Sequence, residues 1–120
     1  MAFLDKDNLL ITERTGQLRK VENWLLLDQP VLGLPNISEI GQGGLLGITL
    51  HPKFDSNRFV YLSYAGREEN RYGTEVLRGV LNNNKLDDIE VIFKALPKAR
   101  RGYHFGSRLV FADNGTLYVL

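Results

Sequence analysis

Cysteine is absent from the sequence, which excludes disulfides, thiolate metal sites and a cysteine nucleophile while fitting a reducing or an oxidising compartment equally well. Long apolar runs are absent too. No stretch approaches the roughly 18 residues that a membrane-spanning helix needs, so no membrane span is expected. Charge of one sign is not in excess, since 15 Lys and Arg stand against 14 Asp and Glu for a formal net charge of +1. That balance lacks the broad positive field of nucleic-acid and membrane-surface binders, and no nucleic-acid partner is expected. No signal peptide is visible, because the opening MAFLDKDNLLITER carries acidic residues where a signal peptide has its apolar region. Helical periodicity is poor throughout.

What is present is a globular composition, 43% hydrophobic, 24% charged and 10% aromatic, which points to neither disorder nor a fibrous class. Short runs rich in Val, Ile, Leu, Tyr and Phe alternate with clusters of Gly, Pro, Asn and Asp, the pattern of strands and turns. Strands are predicted near residues 1–4, 9–13, 17–21 and 25–31, then 46–50, 59–64, 76–81 and 90–95, and finally 107–111 and 117–120. The class is all-β.

The segments AFLDKDNLLITE, ITLHPKFDSNRFVYLSY and LVFADNGTLYVL share one plan, an apolar strand, a polar turn and a second apolar strand. Phe3, Thr49 and Phe111 mark it at a spacing of about 45 to 60 residues, which suits four short antiparallel strands, the size of a propeller blade. A β-sandwich also uses short, regularly spaced strands, but the recurring opening pair favours blades. Two and a half blades would leave apolar faces and sheet edges open, so self-association through blade edges is expected. Met1 leads straight into an apolar run and Leu120 closes inside another, so both ends are expected to be cut.

Two motifs precede the opening strands of the second and third units. Gly41-Gln42-Gly43-Gly44-Leu45-Leu46-Gly47 can approach a ligand closely, with the Gln42 amide offering donors and an acceptor. It precedes a strand, and no Gly-Lys-Ser/Thr follows, so it is no nucleotide loop. A tight turn between units is the structural alternative. Gly102-Tyr103-His104-Phe105-Gly106-Ser107 occupies the equivalent place, and an imidazole there could accept a proton near neutral pH. A purely structural histidine is the alternative. Loops entering successive inner strands surround one mouth, so Gln42 and His104 could converge there.

GQGGLLGITLHPKF, RFVYLSYAG and GYHFGSRLVFADNGTLYVL resemble the glucose/sorbosone dehydrogenases, the soluble PQQ-dependent aldose dehydrogenases. The resemblance covers essentially all 120 residues. It implies a partial six-bladed β-propeller of about two and a half four-stranded blades, with blade 1 at about 1–34, blade 2 at about 44–97 and the start of blade 3 at about 104–120. Residues 1–120 would then be the amino-terminal part of one propeller domain.

By this resemblance His104 matches the general base, which takes the proton of the anomeric hydroxyl as hydride passes to PQQ, and Gln42 matches a glutamine touching cofactor and substrate. Tyr103 stands where the glucose-oxidising branch has an acidic residue. No carboxylate is supplied there, so aldoses in general are implied instead of glucose. The basic residues holding PQQ and the calcium ligands belong to later blades of the family. PQQ and calcium are therefore expected only in a longer protein, with a sugar and an electron acceptor as its partners, and no metal ligand is assigned in this chain. Family members are commonly exported, which implies a periplasmic or secreted parent. The fragment alone is expected to be inactive. A non-catalytic propeller that binds a protein or glycan is the alternative function, and a propeller hydrolase or lactonase would need a carboxylate metal cluster that the sequence lacks.

The remaining polar residues receive structural readings. His51 is expected at a turn after a strand, Lys98, Arg100 and Arg101 in a solvated loop, and Glu13 with Arg14 in a strand-end polar contact. Trp24 is expected to serve packing, and Arg108 to anchor the strand after His104.

Overall fold

The computed structural model describes residues 1–37, 39–100 and 105–120. Strands β1 (Ala2–Phe3), β2 (Leu9–Thr12), β3 (Leu18–Glu22) and β4 (Leu25–Leu26) form one antiparallel sheet in sequence order. A second sheet repeats that order with β5 (Leu45–Leu50), β6 (Phe59–Glu68), β7 (Arg71–Asn82) and β8 (Lys85–Lys94). The hairpin of β9 (Leu109–Phe111) and β10 (Leu117–Val119) forms a third. The expected plan of up-and-down units is what folds.

The turns follow residue chemistry. Asn23 and Trp24 both have positive φ, 51° and 65°, as a two-residue hairpin turn between β3 and β4 requires. Trp24 is thereby turned outward, 63% exposed, with its indole N–H donating to Asp7 Oδ1 at 3.0 Å. The packing expected of it is a tilted contact with the Phe3 ring, centroids 6.5 Å apart, on the exposed side of the sheet. The predicted strand at 25–31 also ends early. Leu27 N–H still reaches Lys20 O at 3.0 Å and Val31 N–H reaches Leu18 O at 2.7 Å. Between them Pro30 has no N–H to offer, and the ladder lapses.

Alternation of side chains sorts the second sheet into two faces. Val60, Leu62, Tyr64, Leu77, Leu81 and Leu86 pack with Leu10, Leu18 and Val31 of the first unit. Tyr61 and Val76 pack on the other side with Leu109, joined by Phe59, Phe111, Leu117 and Val119. The second sheet is thus the filling between the other two.

In the β5–β6 connection a single helical turn, α1 (Phe54–Asn57), buries Phe54 and ends at Arg58, whose φ of 59° is left-handed. His51 Nδ1 accepts the Lys53 N–H at 3.0 Å and lies 3.0 Å from Asn57 Nδ2. Its ring sits among Phe59, Tyr61 and Phe111. The structural role expected of His51 is the one it has.

Candidate active-site face

Three connections gather at one end of the sheets: the β6–β7 hairpin, the segment between β4 and β5, and the segment between β8 and β9. Gln42 stands at the exposed tip of a tight turn, closed by Gly43 N–H donating to Ile40 O at 2.6 Å, with Gly41 at a positive φ of 53°. Gly44 has a φ of 157°, and a Cβ there would collide with the Arg14 carbonyl, so glycine is required for the chain to dive into β5. Arg14 does the holding. Its guanidinium donates to Gly41 O at 2.8 Å and Gly43 O at 3.3 Å and pairs with Glu39. The expected contact between Glu13 and Arg14 does not form, because Glu13 pairs instead with Arg19 at 3.1 Å. The sequence reading gave Arg14 only a strand-end contact and missed its hold on the glycine turn.

The Gln42 turn also touches the third unit. A Cβ on Gly43 would lie 2.7 Å from both Ala65 Cβ and Phe105 Cε2, so a bare backbone is what lets the Phe105 ring approach. Ala65 N–H donates to Gly44 O at 2.8 Å. Behind this contact Ser63 Oγ accepts the Gly47 N–H at 2.9 Å and donates to Ser107 O at 2.5 Å. His104, the expected base, lies outside the described residues, as do Arg101, Gly102 and Tyr103. Its neighbour Phe105 is described, and it packs on the turn that carries Gln42.

Below the turn is a buried polar cluster. Tyr64 OH donates to Glu75 Oε1 at 3.0 Å, and Lys98 Nζ pairs with Glu75 Oε2 at 2.7 Å. Burial first, then the Glu75 charge and its hydrogen bond, push the Tyr64 phenol well above its ordinary range. The solvated-loop reading therefore fails for Lys98, which the carboxylate draws inside, whereas Arg100 is exposed. Among the described residues no group of three or more His, Cys, Asp or Glu side chains could hold a metal ion. No helix among them is long and apolar enough to cross a membrane.

Comparison with known proteins bears on this arrangement. The family model described as Glucose / Sorbosone dehydrogenase matches residues 1–120. The aldose sugar dehydrogenase YliI of Escherichia coli strain K12 is 39% identical over 123 residues, covering 99% of this chain and 33% of its own length. The crystal structure of the soluble aldose sugar dehydrogenase from Escherichia coli in the apo-form superposes with a TM-score of 0.92 at 38% identity. That match covers 98% of this chain and 35% of the other. The PQQ-bound form of the aldose sugar dehydrogenase from Streptomyces coelicolor superposes with a TM-score of 0.81 at 25% identity, again over 98% and 35%. The sheets thus correspond to part of a propeller, and the chain spans about a third of the length of the curated relatives it matches.

Proposed function

Because the chain belongs to the glucose/sorbosone dehydrogenase family, we propose that it is part of a PQQ-dependent enzyme that oxidises the anomeric hydroxyl of an aldose to the lactone. The first sheet would be blade 1, the second blade 2 and the last hairpin the start of blade 3. The observation that carries this reading is the packing of Phe105, the residue after His104, against the glycine turn that bears Gln42. Two segments far apart in sequence, the glycine turn and the entry to β9, meet there.

The chemistry offered at that turn fits one edge of the cofactor. Arg14 is committed to two carbonyls and Glu39, and Lys98 to Glu75. Neither is spare for the carboxylates of PQQ, whose cationic holders, like any calcium ligands, would lie in the rest of the protein. The Gln42 amide is neutral, and it suits a quinone oxygen or a sugar hydroxyl, to which it can both donate and accept. When bound, PQQ would supply the two-electron acceptor for hydride from the anomeric carbon. His104 would take the proton of the anomeric hydroxyl, a task matched to an imidazole near neutral pH. Gln42 would orient that hydroxyl. The parent would be periplasmic or secreted, as a relative described as soluble allows.

The test uses the protein expressed from its complete reading frame, with PQQ and calcium added and aldose oxidation followed by dye reduction. His104→Ala should abolish turnover while PQQ binding, read by tryptophan fluorescence, persists. Turnover that survives the substitution would refute the reading, and absence of PQQ binding in the unsubstituted protein would favour a non-catalytic propeller. The 120-residue chain alone should show no turnover.

A further inference from the structure

We propose that the buried Lys98–Glu75 pair is a positioning device for His104, acting by fixing the approach to it, residues 96–100, on the β6–β7 hairpin. This rests on the reading of His104 as the base. The first observation is an inversion of burial. Between β8 and Arg100 the segment turns Leu96 outward, 71% exposed, while the one residue it buries is Lys98. The lysine side chain is 3% exposed and its Glu75 partner 9%. The ion pair is therefore the buried side-chain contact that this segment makes with the hairpin.

The second observation is that the hairpin is built to receive the pair. Gly66 and Gly73 face each other across β6 and β7. A Cβ on Gly66 would overlap the Glu75 carboxylate, and one on Gly73 would lie 3.2 Å from Lys98 Cγ. Two facing glycines weaken a strand pair, and here they open the slot that holds the lysine stem and the carboxylate. Tyr64 supplies a further hydrogen bond to the same carboxylate.

The third observation is where the clamp acts. Next to Lys98, Ala99 exchanges backbone hydrogen bonds with Tyr72, at 2.8 and 2.6 Å. The chain is next held at Phe105, against Gly43, and then at Ser107 by Ser63. Ala99 and Phe105 are thus the described holds nearest to His104 in sequence on either side, and the ion pair stands next to the first of them. A buried ion pair is a poor source of net stability, since apolar groups of the same size commonly do as well, but it can select one geometry. A base must keep its reach to within a fraction of an ångström, because a misplacement of about 1 Å can cost about 100-fold in rate.

The experiment compares the complete protein with the double variant Glu75→Gln/Lys98→Met, which removes both charges and leaves no unpaired carboxylate inside. Three quantities are read: thermal midpoint, hydrogen exchange of amides 99–106 in the PQQ-free protein, and the kcat and KM of aldose oxidation with PQQ. The expected result is a retained midpoint, exchange of 99–106 faster by about 10-fold or more, and kcat lower by about 10- to 100-fold with sugar KM nearly unchanged. Wild-type exchange, or wild-type kcat in an enzyme that needs His104, would overturn the positioning role alone. Turnover indifferent to His104→Ala would instead overturn the functional reading and this inference with it, so the two failures are distinct.

Discussion

Ser63→Ala probes the join between the second and third units most directly. Ser63 is fully buried, and its one oxygen serves two backbone groups from different units, accepting from Gly47 N–H and donating to Ser107 C=O. Alanine keeps the packing and removes both partners at once. Leaving a buried polar group without its partner costs about 1 to 3 kcal/mol. Gly47 and Ser107 are only half-buried, so water can compensate in part, and the loss should total about 2 to 3 kcal/mol. The assay is hydrogen exchange of the Gly47 amide in the complete protein, with urea unfolding beside it. At about 1.4 kcal/mol per factor of ten, exchange should quicken by about 30- to 140-fold. Ser56→Ala is the control, because its hydroxyl bonds Lys53 O at an exposed site and should change stability by less than about 0.5 kcal/mol. A Ser63→Ala protein indistinguishable from that control would refute the view that this hydroxyl ties β5 to the entry of β9.

Three further outcomes follow from the same geometry. Gly47→Ala would drive a Cβ into the Ser107 carbonyl and to 2.6 Å from Ser63 Oγ; backbone cannot yield there, so a loss of about 3 kcal/mol or more in urea unfolding is expected, exceeding that of Ser63→Ala. The Tyr64 phenol is raised above its ordinary range in the fold, so above about pH 10 an unfolded chain has released a proton that the folded one keeps. Stability is thus full below about pH 10 and falls as pH rises beyond it, and Tyr64→Phe should flatten that decline in denaturation measured from pH 9 to 11. Phe3 and Leu26 are exposed on the outer face of the first sheet, and Val110 and Tyr118 form an exposed cross-strand pair on the outer face of the third. The 120-residue chain should therefore associate with rising concentration in sedimentation, and Val110→Ser/Tyr118→Ser should reduce that association.

Where periodicity and turn chemistry carry the information, the sequence reading and the fold agree. The hairpins around Asp5, Asn57 and Gly115 lie where polar turns part apolar runs. Agreement fails where backbone pairing continues without apolar side chains to mark it. β6 runs on to Glu68 and β7 begins at Arg71, both beyond the predicted 59–64 and 76–81, because Gly66, Gly73 and Thr74 pair through their backbones alone. Within β7, Glu75 reads as a surface residue until Lys98 is seen to reach it from 23 positions away. The glycine turn at Gln42 was legible as a motif. Its tether to Arg14 was not, since nothing local distinguishes that arginine from its neighbours.

The tethers share an electrostatic consequence that bears on the proposed chemistry. An unpaired cation beside an imidazole opposes its protonation, whereas a carboxylate favours it. Two cations that tether this region are each paired with a carboxylate, Arg14 with Glu39 and Lys98 with Glu75. Each of these two tethers is therefore close to electrically neutral as a pair, although it is built from charged groups. A paired tether of this kind can fix geometry while adding less net charge to its surroundings than an unpaired cation would. A cofactor bearing several carboxylates needs the opposite, namely cations left unpaired to meet it. One cluster of residues cannot serve both ends well, which gives a physical reason why, in the proposed enzyme, the amide and the base would belong to this part of the propeller and the cationic holders to another.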